Sequence, residues 1–166
     1  MFVLENSEPS WGYWIRTIAP IIGLILIPLL THLYTSFRDR SSRLISIIST
    51  VEECFDDINK HFFESVTQNN KSEELSEQIK DAVREQQVII AISKVNTLCQ
   101  RAVELTHNLD IELLQREVAP IRKYATHDKF RELENFTEST RLIIEAQNTI
   151  LKMLGQSKVK KLFIFI

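Results

Sequence analysis

Between Thr17 and Phe37 the chain carries no Asp, Glu, Lys or Arg, and its centre, Ile18 to Leu30, is almost wholly Ile, Leu, Ala and Pro. Helical residues rise 1.5 Å each, so this stretch reaches roughly 30 Å, the thickness of bilayer hydrocarbon. The pattern predicts a short tail over 1–14 and a transmembrane helix over 15–37. Trp11, Tyr13 and Trp14 precede the span and Tyr34 and Phe37 close it, the placement expected of amphipathic rings at the two headgroup layers. Met1 to Ser10 holds Glu5 and Glu8 but no Lys or Arg, and no small-residue cleavage site follows the apolar run, so an uncleaved anchor is expected over a signal peptide.

After residue 37 the apolar positions recur every three or four residues, the helical period. Leu44, Ile47 and Ile48, Val51, Phe55, Ile58 and Phe62 predict a helix from Ser41 to about Val66, able to continue the membrane helix without interruption. A polar loop follows over residues 67–72, and Ser72 with Glu73 and Glu74 offers an N-cap with acids in the first turn of a helix reaching about Asn108. Its middle, Val88 to Ile92, is apolar on every side, which predicts a central element. Asn108 and Asp110 offer the next cap, for a helix over Ile111 to Val118 that Pro120 then kinks or restarts. The last helix is predicted from Asp128 to Leu154, with a seam of Phe130, Leu133, Thr137, Thr140, Ile144, Gln147, Leu151 and Leu154, and Gly155 as its C′ stop.

Gly occurs only at 12, 23 and 155 and Pro only at 9, 20, 28 and 120, an all-α composition. The expected architecture is the membrane helix followed by a cytoplasmic up-and-down bundle of four to five helices over 38–155, with a basic and apolar tail over 156–166. The tail runs from Lys158 through Lys160 and Lys161 to Leu-Phe-Ile-Phe-Ile166, too short to span a bilayer but able to touch one. Arg38, Arg40 and Arg43 follow the span against Arg16 alone before it, which places the bundle in the cytoplasm and the N-terminus outside.

The span has two unlike faces. At 100° per residue Thr17, Pro20, Pro28, Thr31 and Thr35 fall within about 80° of one another, while Ile18, Ile22, Ile25, Leu26, Leu29 and Leu33 cover the other side. Each proline frees a backbone carbonyl that hydrocarbon cannot satisfy, so the Thr/Pro face suits a helix interface or a pore lining. The simpler alternative is a kinked monomeric anchor whose threonines bond back to their own helix, with His32 an interfacial residue.

With 20 Lys and Arg against 22 Asp and Glu there is no basic field to recruit nucleic acid by counterion release, and no DNA partner is expected. Cys54 and Cys99 form no CxxC pair, so neither a disulfide framework nor a thiolate metal cluster is predicted, and no metal or cofactor is expected. No phosphate-binding glycine loop, HExxH or nucleophile elbow is present.

One constellation remains, Arg122-Lys-Tyr-Ala-Thr-His127, an R-x4-H spacing beside Pro120 at the entry to the final helix. It resembles the motif of HEPN domains. That resemblance implies a metal-independent ribonuclease chemistry in which Arg122 holds phosphate and His127 moves protons of the 2′-hydroxyl reaction. Lys123 departs from the small polar residue usual in the family, and Arg101 with His107 gives a second, R-x5-H match within the long helix. His61 carries no such pattern.

One membrane helix joined to a small HEPN-like bundle resembles the membrane accessory proteins of type VI-B, RNA-targeting CRISPR systems. The resemblance implies a homo-oligomeric effector in a bacterial inner membrane that enhances antiviral defence by forming a pore or perturbing the bilayer. Its partners would be membrane lipid, further copies of itself, and a CRISPR effector complex or RNA. A membrane-tethered ribonuclease using Arg122 and His127 is the second expectation, and a non-enzymatic anchored scaffold the third.

Overall fold

A chain with one breaker, Pro120, between residues 29 and 154 has little reason to leave helical backbone. The computed structural model describes residues 11–68, 75–126 and 133–159. Among them are four helices, α1 (Trp11–Gln68), α2 (Leu75–Leu105), α3 (Ile111–Thr126) and α4 (Leu133–Gly155). Their only β contact is an isolated antiparallel bridge between Thr106 and Val159. The fold is all-α. The chain forms two compact units, and the boundary falls within α1, between Asp39 and Arg40.

The described part of the first unit is the Trp11–Asp39 portion of α1. It is long and apolar enough to cross a membrane, and its most apolar stretch has no part buried. Ile21, Ile22, Leu24, Ile25, Ile27 and Leu30 are all exposed, as are Trp11, Tyr34 and Phe37 at the two ends. Pro20 and Pro28 both lie inside the helix. The Tyr13, Trp14 and Thr17 side chains fall outside the described residues.

In the second unit the remainder of α1 and the other three helices enclose one core. Leu44, Val51, Phe55, Ile58 and Phe62 of α1 are buried, with Ile47 and Ile48 packed against them, which is the face the apolar spacing predicts. α3 lies between α2 and α4, packing on both. α1 meets α4 through a stacked Phe62–Phe136 pair, rings 5.6 Å apart, with Phe63 edge-on to Phe136 at 5.5 Å. Below these rings Asn59 and Gln147 exchange two side-chain hydrogen bonds, of 3.1 and 3.0 Å.

Several expectations change. α2 is not surrounded: Val88, Ala91 and Ile92 are buried, but Ile79, Val83 and Ile90 are exposed, Ile90 by 63%. A run apolar on all sides buries only the side its neighbours cover, and isoleucines elsewhere on α2 stay wet. α2 also stops at Leu105, before Asn108, because Thr106 leaves the helix to pair with Val159 while its hydroxyl caps the Ala102 carbonyl at 2.8 Å.

Pro120 does not end α3, which continues to Thr126. A proline removes one hydrogen bond, and burial of Val118, Ile121 and Ala125 on both sides of it holds the helix together. The α4 seam holds in part: Gln147 and Leu154 are buried and Thr140 and Leu151 half-buried as the seam predicts, but Thr137 and Ile144 are exposed and Ser139, Ile143, Ala146 and Ile150 are buried in their place, while Phe130 and the Leu133 side chain lie outside the described residues. Ser139 and Ala146 read as weak core residues, yet both are buried. Gly155 does not take the left-handed C′ conformation; no described residue has a positive φ. The helix closes instead through Gln156 N–H to the Lys152 carbonyl and Ser157 N–H and Oγ to the Leu154 carbonyl. The predicted N-terminus at Ser72 and the Asp128 start of the last helix lie outside the described residues.

Candidate functional site

Two places hold chemistry that ordinary packing does not explain. The first is the middle of the apolar part of α1. A helical N–H at position 28 would normally donate to the carbonyl of Leu24, but Pro28 has none to give. The threonine hydroxyls do not serve that carbonyl: Thr31 donates to the carbonyl of Ile27 at 2.8 Å, and Thr35 to those of Thr31 and His32 at 2.9 and 3.0 Å. Pro20 removes the same bond from Arg16, which lies at the edge of the apolar stretch rather than within it. The Leu24 carbonyl sits near the middle of that stretch.

The same arc of the helix also carries Leu24 itself, which is exposed, so the Thr/Pro face is polar at its ends and apolar between them. Thr31 and Thr35 are both exposed on it. Their hydroxyl protons are spent within the helix, as the monomeric-anchor alternative requires, and their oxygens keep only acceptor capacity.

The second place is a cavity of about 380 Å³ between α2 and α3. Ile89, Ile92, Val118 and Ala119 form its apolar wall and Ser93, Asn96, Gln115 and Arg122 its polar one. Asn96 Oδ1 is buried and makes no hydrogen bond. Arg122 is exposed at the rim, and its guanidinium has no carboxylate partner among the described residues. A donor-only guanidinium at the rim of this cavity suits a ligand with an anionic group. His127 lies outside the described residues, so Arg122 is the one member of the R-x4-H pair with a described position. Lys123 stands near the Tyr124 ring, its ammonium 5.4 Å from the centroid.

The alternative pair is spread over two kinds of structure. Arg101 is exposed on α2, whereas His107 lies beyond the helix end, fixed by its backbone N–H to the Lys158 carbonyl at 3.3 Å. His61 is on α1, its Nδ1 buried without a hydrogen bond and 3.6 Å from the Glu64 carboxylate. Among the described residues no group of three or more His, Cys, Asp or Glu is placed to hold a metal ion. Both cysteines are free and buried; burial pushes the Cys99 thiol up to about 11, and raises that of Cys54 against the opposing pull of Lys94.

Sequence reasoning named Arg122 but missed Gln115, two turns before it on α3, and Ser93 and Asn96, which line the same cavity only when α2 and α3 pack. The signal present in sequence was faint: Ser93 and Asn96 interrupt an isoleucine-rich face at helical spacing. No family model matches the chain, and neither a curated protein nor a solved structure matches it.

Proposed function

We propose that the protein is a membrane-anchored, homo-oligomeric effector whose apolar segment crosses the bilayer and perturbs or opens it, with the helical unit on the cytoplasmic side. The observation that carries this reading is Pro28. It leaves the Leu24 carbonyl at mid-span without its helical donor, and the nearest hydroxyls are committed elsewhere. An unsatisfied carbonyl in hydrocarbon costs several kcal/mol, so the helix gains by meeting a neighbour or a water-filled path there. The charge asymmetry of Arg38, Arg40 and Arg43 against Arg16 supports the orientation. The resemblance to the type VI-B accessory proteins supplies the setting, antiviral defence in a bacterial inner membrane, and the reading of the helical unit as HEPN-like.

Planar-bilayer conductance of the purified full-length chain tests it. Discrete currents are expected from the wild type, and Pro28→Leu, which restores the missing donor, is expected to reduce them at least tenfold while membrane insertion persists. Absence of current in every oligomeric state isolated from detergent overturns the reading.

A second reading is favoured by the Arg122 cavity: a membrane-tethered, metal-independent ribonuclease with Arg122 holding phosphate and His127 transferring protons. It predicts RNA cleavage in chelator that falls at least a hundredfold in both Arg122→Ala and His127→Ala. Cleavage insensitive to either change removes it.

A further inference from the structure

Away from the Arg122 cavity, α1 and α2 enclose a second concavity of about 650 Å³ lined by Arg43, Ser46, Ile47, Thr50, Lys94, Leu98, Arg101, Glu104 and Leu105. Its composition is segregated by chemistry. Ile47 and Leu98 are half-buried against the core and form an apolar floor with Leu105, while Arg43, Lys94 and Arg101 stand around it, exposed. Lys94 and Arg101 are seven residues apart on α2, two helical turns, so they share one face with Leu98 between them. Among the described residues neither makes an ion pair, and Glu104 is the one acid lining the groove. A smaller concavity along α2 uses Lys94, Leu98 and Arg101 again, together with Ile90 and Thr97, so the two cations border an apolar surface on either side.

An apolar floor with two unneutralised cations above it matches an amphipathic anion better than a wholly polar one. Inorganic phosphate would leave Ile47, Leu98 and Leu105 wet, and a neutral lipid would leave the cations unmatched. The chain also sets where such a molecule would come from. Arg43 is six residues beyond Phe37, the last residue of the uncharged span, a stretch of chain no longer than about 20 Å. Where the span lies in a bilayer, Arg43 is therefore held within reach of the cytoplasmic headgroups, whose anionic members attract basic residues by about 1 kcal/mol each. A separate observation concerns the same end of α2: Thr106 and His107, directly after Leu105, are tied to Lys158 and Val159, after which the sequence continues Lys160-Lys161-Leu-Phe-Ile-Phe-Ile166.

We infer that the α1–α2 groove is a binding site for an anionic phospholipid, its phosphate held by Lys94 and Arg101 and the upper part of an acyl chain lying on Ile47, Leu98 and Leu105. Arg43 contributes to the same positive field, and Glu104 opposes it, which sets a limit on affinity and a handle for raising it. The site makes the helical unit sensitive to the charge of the surrounding leaflet. This inference rests on the membrane-anchor reading and is independent of pore formation.

The test is equilibrium binding to the full-length chain in neutral detergent, followed by native mass spectrometry and by thermal shift. The probes are short-chain phosphatidylglycerol, short-chain phosphatidylcholine and inorganic phosphate. Phosphatidylglycerol is expected to bind at least tenfold more tightly than phosphatidylcholine, with inorganic phosphate weaker still. The double variant K94Q/R101Q is expected to lose that preference, K94R/R101K to keep it, and E104Q to tighten binding several-fold. Lys94 and Arg101 are exposed, so these variants keep the fold, and far-UV circular dichroism verifies it. Equal binding of the two lipids, binding of inorganic phosphate as tight as that of phosphatidylglycerol, or an undiminished preference in K94Q/R101Q each overturns the inference. None of these results depends on whether the chain conducts ions.

Discussion

The Asn59–Gln147 pair offers the sharpest test of how α1 joins the helical unit. Each amide donates to the other's carbonyl, at 3.1 and 3.0 Å, and Gln147 is 5% exposed. Gln147→Leu removes one member and leaves the carbonyl and one N–H of Asn59 unpaired in a half-buried position. Each stranded group costs about 1–3 kcal/mol, so the two together cost about 3 kcal/mol at the lower half of that range, offset by roughly 1 kcal/mol from the added apolar side chain, and a net loss of about 2 kcal/mol is expected. Asn59→Leu should cost a similar amount. The double variant N59L/Q147L strands nothing, and replacing both partners with apolar groups of comparable size is nearly neutral. The cycle therefore predicts a coupling of about 4 kcal/mol, read as thermal unfolding of the full-length chain in detergent by circular dichroism. For a unit of this size 2 kcal/mol corresponds to a midpoint shift of about 8 °C. If the losses of the two single variants simply add in the double, the two amides do not face each other and the α1–α4 packing is wrong.

Two further outcomes follow from local geometry. Asp110 caps α3 through its Oδ1, which accepts from the Glu112 N–H at 2.9 Å, so Asp110→Ala should lower unfolding stability by about 1 kcal/mol and Asp110→Asn by much less, by the same thermal assay. Burial raises the Cys99 thiol from 9.0 to about 11, so the folded chain favours the neutral form: this contribution is complete below pH 9, and is lost at up to about 1.4 kcal/mol per unit as pH rises through 11. Cys99→Ala should flatten the fall in stability between those values, and in the wild type a thiol reagent at pH 8 should label Cys99 only as fast as the unit opens.

The parts legible in the sequence were those decided by a single overriding effect. The α1 core positions follow from apolar spacing alone, because large side chains at Val51, Phe55, Ile58 and Phe62 leave one face to bury. The α3 cap at Asp110 is a local hydrogen bond that needs no tertiary partner. Where packing arbitrates between near-equal choices, sequence was ambiguous. Ile143 and Ile144 are both good core residues, and only packing against the other helices selects the first. Pro120 is a breaker in isolation and tolerable once Val118 and Ile121 are buried. The Arg122 cavity and the α1–α2 groove could not be read at all, since each is made by residues from two helices whose juxtaposition no local pattern encodes.

If the apolar part of α1 crosses a bilayer, its sequence constrains how copies of the proposed effector would meet. Between Ile21 and Ile27 every side chain is apolar or absent, so a second copy brings no side-chain donor to the depth of the Leu24 carbonyl. Backbone N–H groups of an intact helix are already engaged. Two donors remain, water and Thr31, which lies about one turn past Pro28 and holds its proton on the Ile27 carbonyl. If Thr31 served the carbonyl of a neighbour, it would have to abandon that bond, and the isosteric Thr31→Val would break both assembly and conductance. If water serves it, Thr31→Val would leave both intact while Pro28→Leu still acts. The 2.8 Å bond from Thr31 to its own helix favours water: a hydroxyl already satisfied gains nothing by turning outward, whereas a carbonyl at mid-span without a donor gains several kcal/mol from hydration. In the proposed oligomer, assembly along the Thr/Pro face would then bring water to the centre of the bilayer, the first requirement of a conducting path and one that dry helix packing would not meet.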